Sequence, residues 1–401
     1  MMMRKSAVGI IAVLLMAAVC QAGSIFSGGG VGLWKWTSSG RDAGMGILGF
    51  GMRDSSSVGA MNPAVWSGIT MTRFSAGMGI HHFSSQDDFA SDQSDDFALE
   101  YAALGMSLKK NLTIGVRFYP QSRIDYRRYE TAAIGNLVFS DYNIGKGGIS
   151  TGTFLLAGKV KEDLDLGLSL DFIFGSLSTL WGADFASSTI SDVQYTLAKK
   201  LFGVRPAGGF LFQLNEKTTI GGYGALGVNV PVTEELDYSY SDSTSEQDLD
   251  FSYPNIAGVG FQHYLRPRLI LAGDVLWAGW QKRNQEIGDS DRYQTAVCAS
   301  AGMEIVPLNE TLVPIYQKLA YRWGVSYQAL YYQSPAGQTV NDFAVSAGLG
   351  IPLEDVKSRL DITFTLGKRG DLDTNNAEEI YYRMGFYINT GEKWFVRTKK
   401  Y

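Results

Sequence analysis

The sequence predicts an all-β fold: a closed, antiparallel transmembrane β-barrel of about 14 strands with an N-terminal hatch in its lumen. Three observations carry this. From Leu164 to Phe174 the chain alternates strictly, and successive strand residues face opposite sides, so Leu164, Leu166, Leu168, Leu170, Phe172 and Phe174 form one apolar row. The other row is Asp165, Gly167, Ser169 and Asp171, with Ile173 joining late. Two carboxylates there would be costly in an ordinary core but suit a wet lumen behind a lipid-facing wall. Second, hydrophobic residues make up 45% of the chain, yet after the N-terminus no segment offers the roughly 20 apolar residues of a spanning helix. Third, the N-terminus reads as an export signal.

That signal covers residues 1–22: Arg4 and Lys5 supply its positive start, and Ala7 to Val19 its short apolar core. Cleavage after Ala22 leaves Gly23 first. Val19 and Ala17 match a lipobox poorly, so Cys20 is expected to leave with the signal rather than carry lipid. Cys298 then stands alone, and no disulfide framework is expected. Loss of Arg4 and Lys5 takes the formal charge from −5 to −7, which gives no support for nucleic-acid binding. The 47 glycines and 12% aromatic content fit strand curvature and interfacial girdles.

A sheet in hydrocarbon must close on itself, so the strand count matters. The first strand puts Thr70, Thr72, Phe74, Ala76, Met78 and Ile80 on one face, opposite Arg73 and Ser75. The second sets Phe97, Leu99, Tyr101 and Ala103 opposite Glu100, and the third sets Leu112, Ile114, Val116 and Phe118 opposite Thr113, Gly115 and Arg117. Ile149–Val160 and Leu164–Ser176 form a hairpin, as do Val204–Leu214 and Thr218–Val230. Tyr253–Tyr264 and Arg268–Trp280 flank Arg266 and Pro267. Arg292–Val306 and Ala320–Tyr332 are joined by a longer segment with Pro307 and Pro314. Asn341–Pro352, Ser358–Lys368 and Glu379–Asn389 complete fourteen strands, giving a barrel over 69–389. Short charged turns (Lys109–Asn111, Lys161–Asp163, Asn215–Lys217) alternate with long polar loops at His81–Asp96, Tyr126–Lys146, Leu177–Gly203 and Pro231–Ser252. In bacterial barrels the short turns face the periplasm and the long loops the exterior. A soluble β-sandwich would explain the period but not polar residues behind such long apolar rows.

Before the first strand the alternation stops. Residues 23–68 are rich in small residues, including Gly44, Gly46 and Asp54, and end at Asn62-Pro63-Ala64. Some forty residues exceed a simple lead-in, and Trp34, Trp36, Phe50 and Trp66 need something to pack against. The segment is expected to fold into the lumen as a hatch; a disordered periplasmic tail is the alternative.

On these residues the chain resembles the FadL family of outer-membrane long-chain fatty-acid transporters. The glycine-rich stretch, its acidic and small-residue cluster and Asn62-Pro63-Ala64 just before strand one carry the resemblance. Gly367-Lys368-Arg369-Gly370 and Glu392-Lys393-Trp394-Phe395 look like related FadL-type and PorV-type barrels. The resemblance implies fourteen strands, a lumenal hatch and passage of hydrophobic compounds. Two departures stand out. The paired aspartates usual before the signature are here Asp54-Ser55, so one hatch carboxylate is missing. Residues 390–401 form a basic tail with Lys393, Arg397, Lys399 and Lys400, either a short strand or a periplasmic addition, although Tyr401 suits recognition by the barrel-assembly machinery.

Few residues invite chemistry. His81 and His82 lie near Asp87 and Asp88 at the outer end of strand one, where neighbours on a strand diverge; a solvated loop is expected rather than a metal or hydrolase site. His263 has no nucleophile nearby in sequence. Asp87, Asp88, Asp92, Asp95, Asp96 and Asp242, Glu246, Asp248, Asp250 fall in external loops, as solvated faces or as bridges through cations to lipid phosphates. Arg73, Glu100, Arg117, Asp165 and Asp171 are candidates for the lumen wall, holding the hatch by ion pairs or simply wetting the interior. Met45, Phe50, Met52, Met61 and Trp66 could meet a greasy ligand or pack the plug. No nucleotide motif, cofactor or metal site is expected, and no enzyme. The leading expectation is an outer-membrane channel for passive passage of hydrophobic small molecules such as fatty acids. The alternative is a PorV-like barrel that docks or shuttles exported proteins.

Overall fold

The computed structural model describes residues 23–394 except 37, 110, 136, 186–189, 240–243, 281–291, 309, 311 and 354–357. The expected signal peptide with Cys20, the tail from Phe395, and Asp242 lie outside the described residues.

Short β1 (Leu33–Trp34) belongs to the N-terminal segment. The wall runs through β2 (Thr72–Asp87), β3 (Ser91–Lys109), β4 (Leu112–Pro120), β5 (Ser122–Ile134), β6 (Leu137–Lys159), β7 (Leu164–Phe185) and β8 (Val193–Asn215). It continues through β9 (Thr218–Ala225), β10 (Asn229–Tyr238), β11 (Thr244–Ser252), β12 (Ile256–Arg266), β13 (Leu269–Ala278) and β14 (Ala296–Ile305). The last four are β15 (Ala320–Gln333), β16 (Thr339–Pro352), β17 (Arg359–Asp371) and β18 (Ala377–Glu392).

Three pairs are single staves with a local break. β4 and β5 both pair with β6 and part at Gln121; β9 and β10 both pair with β8; β11 and β12 continue one another across from them. The result is fourteen antiparallel staves, sealed where β18 pairs with β2 from Ala377↔Asp87 to Glu392↔Thr72. Closure leaves no unpaired sheet edge, the condition hydrocarbon imposes. Leu168 is 69% exposed on the outside while Asp171, three residues on, is 1% exposed within. The same parity puts Phe74 and Ile80 outward with Arg73 and Ser75 buried inward.

Two expectations need correction. Phe97 and Leu99 do not share a face with Tyr101 and Ala103. The pairing steps from Gly77↔Tyr101 to Met78↔Leu99, leaving Glu100 as a bulge that flips the alternation, so Tyr101 and Ala103 are buried inward. The long loops are largely paired strand: β2 runs to Asp87, and β5–β6, β7–β8 and β10–β11 extend as hairpins beyond the apolar band. Polar residues on both faces hide a strand whose two sides meet water. His81 is consequently not in a solvated loop but buried inside, while His82 faces outward and stacks on Tyr382 at 4.5 Å.

Residues 23–68 pack inside this cylinder, and their apolar side chains meet the wall in the main interior clusters. Because Leu168 faces outward in the middle of the apolar row Leu164–Phe174, Leu168→Arg is expected to destabilise the barrel by about 2–4 kcal/mol. Urea titration of protein folded into lipid vesicles measures it.

Candidate functional site

The contact between hatch and wall is the candidate site, and it is built from buried charge. Helix α1 (Gly40–Gly44) starts at Ser39, whose hydroxyl caps it by accepting from the Asp42 amide. Next to that cap, Arg41 donates to Glu304 of β14 through Nε at 2.8 Å and Nη2 at 2.5 Å. Glu304 also accepts from Arg322 Nε at 2.8 Å, and Arg322 Nη1 donates to Asp361 at 2.6 Å. Arg359 donates to the other Asp361 oxygen at 2.9 Å, to Ser56 Oγ at 2.7 Å, and lies 3.7 Å from Asp54. Signs alternate along Arg41–Glu304–Arg322–Asp361–Arg359–Asp54, and the chain starts and ends on the hatch. A buried charge is tolerated only when paired and hydrogen-bonded, and here each finds its partner across the hatch boundary or along the wall.

Three further ties hold other levels. Asp274 of β13 accepts from the consecutive amides of Leu48, Gly49 and Phe50 at 2.9–3.0 Å. Gly49 has φ +79°, and a Cβ there would strike the Asp42 carboxylate, so only glycine fits the turn. Arg53 pairs with Asp165 at 2.7 Å. Higher up, Ser24 and the Ile25 amide donate to Glu379, which also takes Arg369; Arg369 holds Asp342, and Tyr381 completes it at 2.6 Å.

The Asn62-Pro63-Ala64 signature acts as a bracket. Asn62 Oδ1 caps the following turn by accepting from Ala64, while its Nδ2 donates to Phe50 O within the hatch and Phe210 O on β8. Close approach elsewhere uses glycine: at Gly324 a Cβ would run into the Met45 carbonyl. β1 pairs with β5, and Lys35 N donates to Gln121 O at 2.8 Å, so hatch backbone covers the break in the third stave.

Of the lumen candidates, Arg73, Arg117, Asp165 and Asp171 are buried inward, and Glu100 reaches His81 Nε2 at 2.9 Å. Arg117 donates to Ala60 O, Asp165 holds Arg53, and Asp171 pairs with Arg205 within the wall. Gly44 and Gly46 lie against β15 and β16, and Asp54 ends the charge chain. Met45, Phe50, Met52, Met61 and Trp66 are all buried, 4% exposed at most, between hatch and wall. None lines the lumen cavity bordered by Lys35, Trp36, Glu100 and Arg383. Sequence reading missed Asp274, Glu304, Arg322, Asp342, Arg359, Asp361, Arg369 and Glu379. Their signal was present, as lone charges at lumen parity inside apolar strands.

Burial pushes the Asp42 carboxyl up to about 7, although the Ser39 hydroxyl and Arg41 pull the other way; its Oδ1 is buried without a hydrogen-bond partner. Burial alone would also raise Asp54, but Arg359, Arg41 and the hydroxyls of Ser56 and Ser57 outweigh it and hold that carboxyl well below its usual range.

A family model described as BamG matches residues 2–230 and 226–401. Among solved structures, a FadL homologue from Pseudomonas aeruginosa is 10% identical, covering 89% of this chain and 99% of that one, with a TM-score of 0.63. The CymD monoaromatic hydrocarbon channel is 14% identical over 88% of this chain and 97% of its own, with a TM-score of 0.59. The toluene transporter TodX of P. putida is 14% identical over 83% and 93%, with a TM-score of 0.55. These likenesses establish a shared fold. No curated protein sequence matches the chain.

Two outcomes are expected. Glu304→Gln strips one anion from two buried arginines and should destabilise the plugged barrel by about 3–5 kcal/mol, read from denaturant unfolding. Asp42 binds its proton more tightly in the closed hatch than when exposed. Its contribution is therefore complete below about pH 4, is lost as pH rises toward about 7, and stays lost above. The midpoint for thermal release of the hatch, followed by tryptophan fluorescence, should fall from pH 5 to pH 8 in the parent, and Asp42→Asn should flatten that dependence.

Proposed function

Since the chain belongs to the BamG family and shares the fourteen-stranded fold of FadL-type barrels, we propose that it is an outer-membrane barrel for passive passage of hydrophobic small molecules, fatty acids or single-ring hydrocarbons, gated by residues 23–68. One observation carries the reading. Among the described residues, the segment that fills the lumen meets the sheet backbone through two-residue β1 and the adjoining Lys35–Gln121 bond, and is otherwise held through side chains. A stopper held by ties between side chains can shift without unravelling the wall. The outward apolar rows suit lipid, and the outer membrane and its assembly machinery are the partners this reading implies. CymD and TodX carry names of channels for monoaromatic hydrocarbon and toluene, which supports the substrate class. No catalytic role is proposed.

A second reading is favoured by the uneven wall. β6, β7 and β8 run 22–23 residues, against 10 in β13 and β14. On the face that continues the lumen wall, the extension carries Trp181 of β7, Tyr195 of β8 and Tyr238 of the neighbouring β10 in a row, with ring centroids 5.0 and 6.1 Å apart. Such a raised, aromatic sheet could dock exported proteins. Shortening the β7–β8 hairpin should then release a bound secreted protein while leaving solute passage intact.

A hatch lock tests the leading reading. A Cβ built at Gly46 lies 3.5 Å from Ser346 Cβ, within disulfide reach. In a Gly46→Cys/Ser346→Cys variant, oxidation should stop uptake of a hydrophobic solute such as toluene and reductant should restore it. Equal uptake in both states would contradict gating by the hatch.

A further inference from the structure

Between the hatch strand and the wall of β14–β18, β2 and β3 lies a cavity of about 170 Å³. Its charges are unevenly paired. Arg369 is satisfied by Asp342 and Glu379, and Asp342 by Arg369 and Tyr381. Glu100 serves both His81, at 2.9 Å, and Lys35, at 3.9 Å. Arg383 is different. Its guanidinium lies over the Tyr381 ring at 4.3 Å, no carboxylate among the described residues lies within 4 Å, and its Nε is buried with no hydrogen-bond partner.

A half-buried guanidinium with one stranded N–H, beside a second cation and with one nearby carboxylate between them, favours an anion. Water could satisfy the stranded N–H but leaves the charge. The indole Nε1 of Trp36, on the hatch side of the same cavity, is likewise buried and unpartnered, and Trp34, Tyr381 and Tyr387 add ring surface. The space admits a single ring. Planar carboxylate matches guanidinium geometry better than any neutral group does.

We propose that this cavity binds a single-ring aromatic carboxylate, its carboxylate on Arg383 and Lys35 and its ring against Trp36. This deepens the reading of the barrel as a path for small ring compounds and rests on it for access, but binding needs no passage. The hatch would then be a sensor as well as a stopper, because Lys35 and Trp36 belong to it while Arg383 belongs to β18.

The test is calorimetry on the purified full-length barrel in detergent with sodium benzoate, benzyl alcohol and sodium acetate as probes. Benzoate is expected to bind, with benzyl alcohol and acetate each weaker by about tenfold or more. Arg383→Gln and Lys35→Gln should each weaken benzoate by a similar factor while keeping the heat-modifiable gel mobility of a folded barrel. The proposal is overturned if benzoate shows no binding at roughly 10 mM, if acetate or benzyl alcohol matches it, or if folded Arg383→Gln binds it unchanged. Benzoate binding without toluene uptake would sink the passage reading alone; toluene uptake without benzoate binding would sink this inference alone.

Discussion

Pairing of buried charge between a plug and the wall around it is the constraint on which this molecule depends. A sealed cylinder of fourteen staves has an interior too wide to fill with its own side chains, and what fills it must be polar enough to match a polar lining. The alternating chain from Arg41 to Asp54 does this at one level, and Asp274 does it at another by gripping three consecutive amides. Each tie leaves an unpaired charge if one partner goes. That makes the plug specific in its seat and still separable from the sheet.

The apolar contribution is layered on this frame. Trp34, Tyr253, Trp280 and Tyr331 meet with ring centroids 4.4–6.3 Å apart and anchor the upper plug, while Trp66 lies over Gly105 and Gly115 lower down. Aromatic clusters of this kind supply burial without fixing register. Register comes from the charges and from glycines that let plug backbone touch wall backbone. Beside Arg383 the interior keeps a cavity and a cation with no carboxylate within 4 Å among the described residues.

Much of the wall was legible. Lipid demands an uninterrupted apolar row, so Leu164 to Phe174 declares its outer face, and the inward parity of Asp165 and Asp171 follows from a period of two. The stave count was legible for the same reason. The Glu100 bulge was not, because one extra residue reverses parity without altering composition. Nor were the raised hairpins, whose strands see water on both sides and lack any row to read. The tie between Arg41 and Glu304 spans 263 residues, so the residue types were visible while the partnership was not. Asn62 was noticed as part of a signature, and its bridging of Phe50 and Phe210 shows why an amide is needed there.

A plug seated by buried ion pairs should be as slow to open its own amides as the wall that encloses it. Hydrogen–deuterium exchange on the intact protein in lipid, read on peptides spanning Ile47 to Phe50, addresses this directly. Protection there comparable to that of β13 and β14, falling selectively when Asp274 is replaced by alanine, is the predicted result. Exchange of that turn at the rate of an unstructured peptide, beside fully protected strands, would contradict it.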